Sequence, residues 1–485
     1  MTHQELFSLL PMITLGSVIL VLLIVVAFWR NLRATCVISI GGLALTLGSI
    51  WLVYTGAPVQ VTPLIMIDGY ALLFSALIVM TSAGVLLLSF DYLKHRGEHP
   101  DEFFILTLLA TLGAMVLASS THFASFILGL ELLGISLYAL ISWPAKGLLS
   151  LEAALKYLIL SGMSSAFILF GIALLFAALG TLSFHQLAAL DWPASGSGHY
   201  YLLAALSMIL AGLMFKLSLV PFHIWTPDVY EGAPAPVTAF VATVSKGAIF
   251  VVLLRFFVLT EAYQYQSVVL GLSIVAIASM LVGNLLALMQ TDVKRILAYS
   301  SIAHLGYLMV AFIAGGVAGG TALAIEAASY FLIAYFITTL GAFAVVTVMS
   351  IDSHDRDSSD LSHYEGLFWR KPVLATTFTA MMLSLAGIPL TVGFIGKFYI
   401  FAAGVQGSLW LLLGAVIVGS GIGLFYYLRI IFTMTMKSDG AHPAIPMPVA
   451  GSCVVLILTL MLLALGVYPT PVIEMVNTVT ETLVS

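Results

Sequence analysis

Fourteen runs of about 20 mostly apolar residues divide this 485-residue chain, and each is long enough to cross a hydrocarbon core of roughly 30 Å as a helix. They cover 9–29, 35–54, 70–90, 103–119, 123–143, 155–179, 201–226, 235–258, 267–289, 296–315, 320–349, 373–404, 407–435 and 449–468. Apolar residues make up 61% of the chain, 8% are charged, and the mean hydropathy is +1.13. These values exclude an ordinary soluble domain and predict an all-α polytopic membrane protein. The N-terminus lacks the basic stretch and small-residue cleavage site of a secretory signal, so the first run is expected to stay as a helix. Cys36 and Cys453 both fall within runs, with no C-x-x-C or His-rich company. Neither a disulfide framework nor a metal or iron–sulfur site is expected, so any electron transfer belongs elsewhere. No nucleic-acid partner is expected; the bilayer is the obligatory one.

The 17 Lys and Arg residues orient the helices. Arg30, Arg33, Lys94, Arg96, Lys146, Lys294, Arg295, Arg356, Arg370, Lys371 and Lys437 read as loop residues, each in a loop after an odd-numbered helix. Loops after even-numbered helices have none. Both termini are therefore expected on the outer side, with the basic loops in the cytoplasm. The stretch from Ser350 to Lys371 reads as a solvated connection, and 180–200 as a plain surface loop.

Six basic residues remain in or at the edges of runs. Arg255 and Arg429 are expected to snorkel to a nearby interface. Lys156, with Glu152 one turn earlier, forms an i, i+4 pair at the start of helix six. Lys216, Lys246 and Lys397 lie deeper. An unpaired ammonium there costs at least about 2.5–3.5 kcal/mol, so such residues face the protein interior and mark a charge pathway.

Pro221 gives helix seven its shape. It has no amide hydrogen for the carbonyl of Leu217, so the helix is expected to break there, with Lys216 at the break and His223 just beyond. Broken helices at membrane depth survive only where protein or water satisfies the loosened backbone. Helix twelve repeats the pattern with Gly387, Pro389, Gly393 and Gly396 followed at once by Lys397. Helices five apart enter from opposite sides, so the expected architecture is two inverted five-helix repeats, helices 4–8 and 9–13. The corresponding segments are 1–102 (helices 1–3), 103–258, 259–435 and 436–485 (helix 14).

Glu131 lies eight residues into helix five, roughly 12 Å along it. Set opposite Lys216, it would hold the lysine's proton, and moving it away would favour release. Lys246 sits near the middle of helix eight beside Thr243 and Ser245. His304 in helix ten, among Ser300, Ser301 and Tyr307, carries a group that titrates near about 6.5 when unperturbed and so suits a relay. Glu326 reads as lying toward the outer side of helix eleven.

The stretches KLSLVPFHIWTPDVYEGAPAPVTAF from Lys216, LSLAGIPLTVGFIGKF ending at Phe398 and KRILAYSSIAHLGYL from Lys294 resemble the antiporter-like membrane subunits of respiratory complex I. The likeness covers essentially the whole chain. Lys397 stands where one relative, subunit M, tends to carry glutamate, and the lateral helix of the larger subunit L is not expected after helix fourteen. The resemblance implies the inverted-repeat bundle, with Glu131 and Lys216 as a modulating pair, Lys246 as central relay, and His304 with Lys397 as the second half-channel and exit. It implies neighbours in the membrane arm, subunits M and K, in a bacterial inner membrane. NADH, FMN, iron–sulfur clusters and quinone would belong to other subunits. A cation/proton antiporter subunit is the alternative reading.

Overall fold

The computed structural model describes residues 2–54, 58–94, 100–143, 147–193, 195–317, 319–351, 353, 356–437 and 448–484. In chain order the elements are α1 (His3–Ser8), α2 (Leu10–Phe28), α3 (Leu32–Tyr54), a two-stranded antiparallel hairpin of β1 (Val59–Thr62) and β2 (Ile65–Ile67), α4 (Gly69–Leu93), α5 (Pro100–Ser119), α6 (Phe123–Ile141), α7 (Leu148–Leu179), α8 (Phe184–Ala188) and α9 (Gly196–Leu217). There follow α10 (Trp225–Gly232), α11 (Ala235–Phe240), a π-helical turn over Val241–Ser245, α12 (Lys246–Thr260), α13 (Gln266–Leu288), α14 (Val293–Ala314), α15 (Thr321–Met349), α16 (Leu367–Arg370), α17 (Pro372–Ala386), α18 (Val392–Gln406), α19 (Trp410–Thr435), α20 (Val449–Val467) and α21 (Thr470–Val484).

Among the described residues, 13 helical segments are long and apolar enough to cross a membrane, and α17 and α18 are two shorter apolar pieces in the twelfth run. The chain is an all-α polytopic membrane protein. Its centre is formed by α11–α12, α14 and α15, whose most apolar windows are 100%, 94% and 100% buried inside the bundle. By contrast α2 and α20 turn large apolar side chains such as Leu20, Ile24 and Leu460 outward, the natural face for lipid. Charged side chains on the central helices are therefore shielded from the bilayer by a ring of other helices.

Several sequence expectations change. Lys294 and Arg295 are not loop residues but the first turn of α14, capped by Asp292, whose carboxylate accepts from the Arg295 amide at 2.9 Å. Arg255 does not snorkel: it is fully buried in α12 and grips Asp68 at 2.6 and 2.8 Å. The 180–200 stretch is not a plain surface loop, because α8 buries Phe184 and Leu187 and the Trp192 indole donates to the Leu187 carbonyl. Nor is Ser350–Lys371 wholly solvated: Tyr364 and Leu367 pack inside, and Val293 N–H donates to the Ser359 carbonyl. The segment 436–485 holds a second helix, α21, with Val476, Val479, Thr480 and Leu483 buried at helical spacing against α4 and α15. Arg96 and Lys146 lie outside the described residues.

Candidate functional site: a row of buried ionisable groups

Helix α9 stops one residue after Lys216 because Ser218 turns left-handed at φ 64°. Its loosened carbonyls find other donors. Ser218 and Leu219 N–H donate to Phe215 and Met214, and the Trp225 indole reaches back to Phe215 at 2.9 Å. The Val220 amide donates to Ser279 Oγ of α13 at 2.9 Å. This is the break expected from Pro221, and protein groups satisfy it. Lys216 lies in the last turn of α9, where the helix dipole favours a cation.

The second break is built differently. Gly387 ends α17 at φ 87°, a conformation that favours glycine, and Leu390 follows at φ 71°. A Cβ on Gly393 would meet the Ser384 carbonyl oxygen at 2.1 Å, so α18 can start this close to α17 only with glycine there. Lys397 Nζ donates to the carbonyl of Ala386, the last residue of α17, at 2.9 Å. It also lies 3.4 Å from Ser420 Oγ and 5.1 Å from the centre of the Tyr307 ring. The ammonium thus caps the carbonyl end of the broken helix and rests on an aromatic face.

Glu131 and Lys216 do not meet as a direct ion pair. Ser161 and Ser165, one turn apart on α7, stand between them: Lys216 Nζ donates to Ser161 Oγ at 2.5 Å, and Ser165 Oγ donates to Glu131 Oε1 at 2.7 Å. Tyr138 Oη lies 2.9 Å from Ser161 Oγ. The two groups thus bond different serines of the same helix rather than each other. Lys216 is 4% exposed, and Glu131 is partly buried.

Lys246 opens α12 just after the π turn and is 1% exposed. π turns insert one residue and often occur at functional sites. Thr243, close by in sequence, donates to the Ala239 carbonyl. Lys246 Nζ donates to Ser301 Oγ of α14 at 2.7 Å and lies 5.2 Å from the Tyr230 ring centre. Ser301 Oγ lies 2.7 Å from Tyr335 Oη. Its neighbour Ser300 hydrogen-bonds Tyr427, whose hydroxyl lies 3.2 Å from His304 Nε2. The rings of Tyr157 on α7 and Trp225 at the start of α10 pack with centroids 4.9 Å apart.

Lys156 bonds Glu152 at 2.8 Å, as its spacing predicts, and also Asp228 of α10 at 2.7 Å. Asp228 continues to Arg295 at 3.1 Å, and Arg295 to Glu231 at 2.6 Å. Buried Lys294 ties the same region to the carbonyls of Glu231 and Ala233 and to Asp357. This ionic chain, invisible in sequence spacing, fastens α10 to α7 and α14. His223 lies in the first break, and among the described residues its buried Nδ1 has no hydrogen-bond partner and no hydrogen bond joins it to Lys216. A cavity of about 710 Å³ lies away from the lysines, lined by Asp68, His185, Arg255, Glu261 and Tyr263 among others. No grouping of His, Cys, Asp and Glu suited to a metal ion occurs among the described residues.

The family model described as NADH:quinone oxidoreductase/Mrp antiporter, transmembrane, matches residues 120–423, which takes in both breaks and Glu131, Lys216, Lys246, His304 and Lys397. The chain belongs to that family. It is 45% identical over 98% of its length, and 95% of the relative's, to NADH-quinone oxidoreductase subunit N of Methylococcus capsulatus. Among solved structures, one chain of respiratory complex I from Thermus thermophilus with bound aureothin aligns at a TM-score of 0.81 and 33% identity, covering 96% of this chain and 98% of that one. A chain of the membrane-bound sulfane sulfur reductase, an archaeal respiratory membrane complex, aligns at 0.87 and 26% identity, covering 99% and 98%. Membership in this family agrees with the resemblance drawn from the helix-seven, helix-ten and helix-twelve stretches.

Proposed function

We propose that the chain is the subunit N-type, proton-translocating member of the membrane arm of an NADH–quinone oxidoreductase, coupling electron transfer in other subunits to proton pumping. The observation that carries this reading is the row of ionisable groups across the bundle's enclosed centre. Lys216, Lys246 and His304 are each 4% exposed or less, and hydroxyls of Ser161, Ser301 and Tyr427 partner them. Holding several ionisable groups in a lipid-shielded core is costly, and a passive scaffold gains nothing from it.

In this reading protons enter near the first break, pass from Lys216 to Lys246 and on through Ser301, Ser300 and Tyr427 to His304, and leave by way of Lys397. Glu131 modulates Lys216 through the Ser165–Ser161 turn. Lys156, Glu152 and His223 serve the entry. Fourteen membrane crossings follow if α17 and α18 count as one broken span. The two breaks then mark inverted repeats of helices 4–8 and 9–13, in segments 103–258 and 259–435, flanked by 1–102 and 436–485. The chain sits in a bacterial inner membrane with both termini on the periplasmic side, between subunits M and K. NADH, FMN, iron–sulfur clusters and quinone belong to partner subunits. Lys216→Ala and Lys397→Ala in the assembled complex should each depress coupled NADH–quinone activity. Normal activity and normal proton stoichiometry in both would overturn the relay, and sodium–proton exchange by the reconstituted chain alone would favour the antiporter alternative.

A further inference from the structure

A buried carboxamide sits beside the exit segment with no role in the relay as described. Asn284 of α13 is 1% exposed, in the otherwise apolar stretch LVGNLLAL. Burying an amide is unfavourable unless its donors and acceptor are used. Here they are used on three sides. Nδ2 donates to Tyr307 Oη at 2.9 Å and to the Met280 carbonyl at 2.6 Å, while Oδ1 accepts from Tyr426 Oη at 3.0 Å.

Both tyrosines lead to relay groups. The Tyr307 ring lies under Lys397 Nζ and packs edge-on against His304 with centroids 5.4 Å apart. Tyr426 packs against Tyr427, centroids 4.4 Å apart, and Tyr427 is the hydroxyl partner of both His304 and Ser300. The third helix at this point is shaped to admit the amide. A Cβ on Gly419 of α19 would lie 2.9 Å from Tyr307 Oη and 3.0 Å from Asn284 Nδ2, and one on Gly423 would lie 3.0 Å from Asn284 Oδ1. Gly419 and Gly423 are four apart, the spacing at which small residues let membrane helices approach closely.

We propose that Asn284 is a positioning residue for proton transfer between His304 and Lys397. It clamps Tyr307, whose ring touches both the histidine and the ammonium, and Tyr426, which packs on the Tyr427 ring that partners the histidine. The proposal rests on the relay reading above. Asn284 neither gains nor loses a proton; it acts through the tyrosines, in a hydrogen-bonded cluster whose members are worth more together than singly.

The test is proton pumping per NADH by the assembled complex in membrane vesicles, normalised to complex content. Asn284→Leu keeps the side-chain branching and removes every polar contact, and should lower the pumping rate about tenfold. Asn284→Gln, which keeps both amide functions, should recover most of it. Tyr307→Phe should also slow pumping, but the Asn284→Leu/Tyr307→Phe pair should be no worse than Asn284→Leu alone, because one residue acts through the other. Should Asn284→Leu fail to assemble, Tyr307→Phe, Tyr426→Phe and Gly419→Ala carry the test, each expected to slow pumping. Wild-type rates in those variants, fully additive losses in the pair, or no recovery in Asn284→Gln would overturn the proposal. Lys397→Ala in the same vesicles separates the two levels. If it leaves pumping intact, the relay reading itself fails; if it abolishes pumping while Asn284→Leu does not, only the role of Asn284 fails.

Discussion

Removing the charge of Asp68 should be among the most damaging single changes outside the lysine row. Its carboxylate has two duties. Oδ1 caps α4 by accepting from the Ala71 amide at 2.7 Å, and both oxygens hold the Arg255 guanidinium at 2.6 and 2.8 Å. Both side chains are enclosed, at 0% and 1% exposure. Breaking a buried pair strands a guanidinium without its counter-charge and costs about 3–5 kcal/mol, whereas losing a helix cap costs ~1 kcal/mol. Asparagine caps as well as aspartate does, so Asp68→Asn isolates the ionic part and Asp68→Ala loses both. Asp68→Asn should therefore be destabilised by about 3 kcal/mol or more, Asp68→Ala by about one more, and Asp68→Asn/Arg255→Leu should regain most of the loss. Thermal inactivation of the detergent-solubilised complex, with the amount of assembled subunit as a second readout, gives the ranking. Wild-type stability in Asp68→Asn, or a double variant worse than the single, would refute the reasoning.

Other outcomes follow from the same geometry. Ser161→Ala removes the hydroxyl that joins Lys216 to the Glu131 side and should slow pumping several-fold without affecting assembly; an unchanged rate would show that the serine turn does not transmit. Asp228→Asn cuts the chain from Lys156 to Arg295, but these groups are 26–43% exposed, so the stability cost should stay within about 1 kcal/mol, and a larger loss on thermal inactivation would contradict that. Gly393→Ala forces a Cβ onto the Ser384 carbonyl and should lower the yield of assembled subunit sharply; normal yield would mean that α18 can move off α17. His185, on the short α8, is held below its ordinary value by burial, with Arg255 acting the same way and Asp68 against it. The folded state thus resists its protonation, so stability present above about pH 6.5 should fall on acidification, and His185→Gln should flatten that fall; parallel curves would count against it.

The breaks, the buried lysines and the i, i+4 pair were legible because each has a local signature: a proline or glycines inside an apolar run, a charge where lipid forbids one, a fixed helical spacing. Partners were not legible. Lys246 stands beside Ser245 in sequence, yet its hydrogen bond is to Ser301, 55 residues away. Arg255 lies near a span end and so reads as able to snorkel, but its partner Asp68 precedes it by 187 residues. Glu131 and Lys216 each bond a serine of α7 instead of one another, and spacing cannot place that helix beside them. Helix α21 escaped detection because its apolar stripe is only one face wide, too polar on average to stand out among the long apolar runs.

The central claim is that the enclosed row of lysines and histidine carries the pumped protons. Proton-to-electron stoichiometry of the complex in sealed vesicles, with Lys246→Met in this chain, tests it most directly, because Lys246 lies mid-row with one hydrogen-bond partner, Ser301. The account predicts an assembled complex whose proton yield per NADH oxidised is reduced or whose coupled turnover is strongly slowed. Wild-type stoichiometry at wild-type turnover would contradict it.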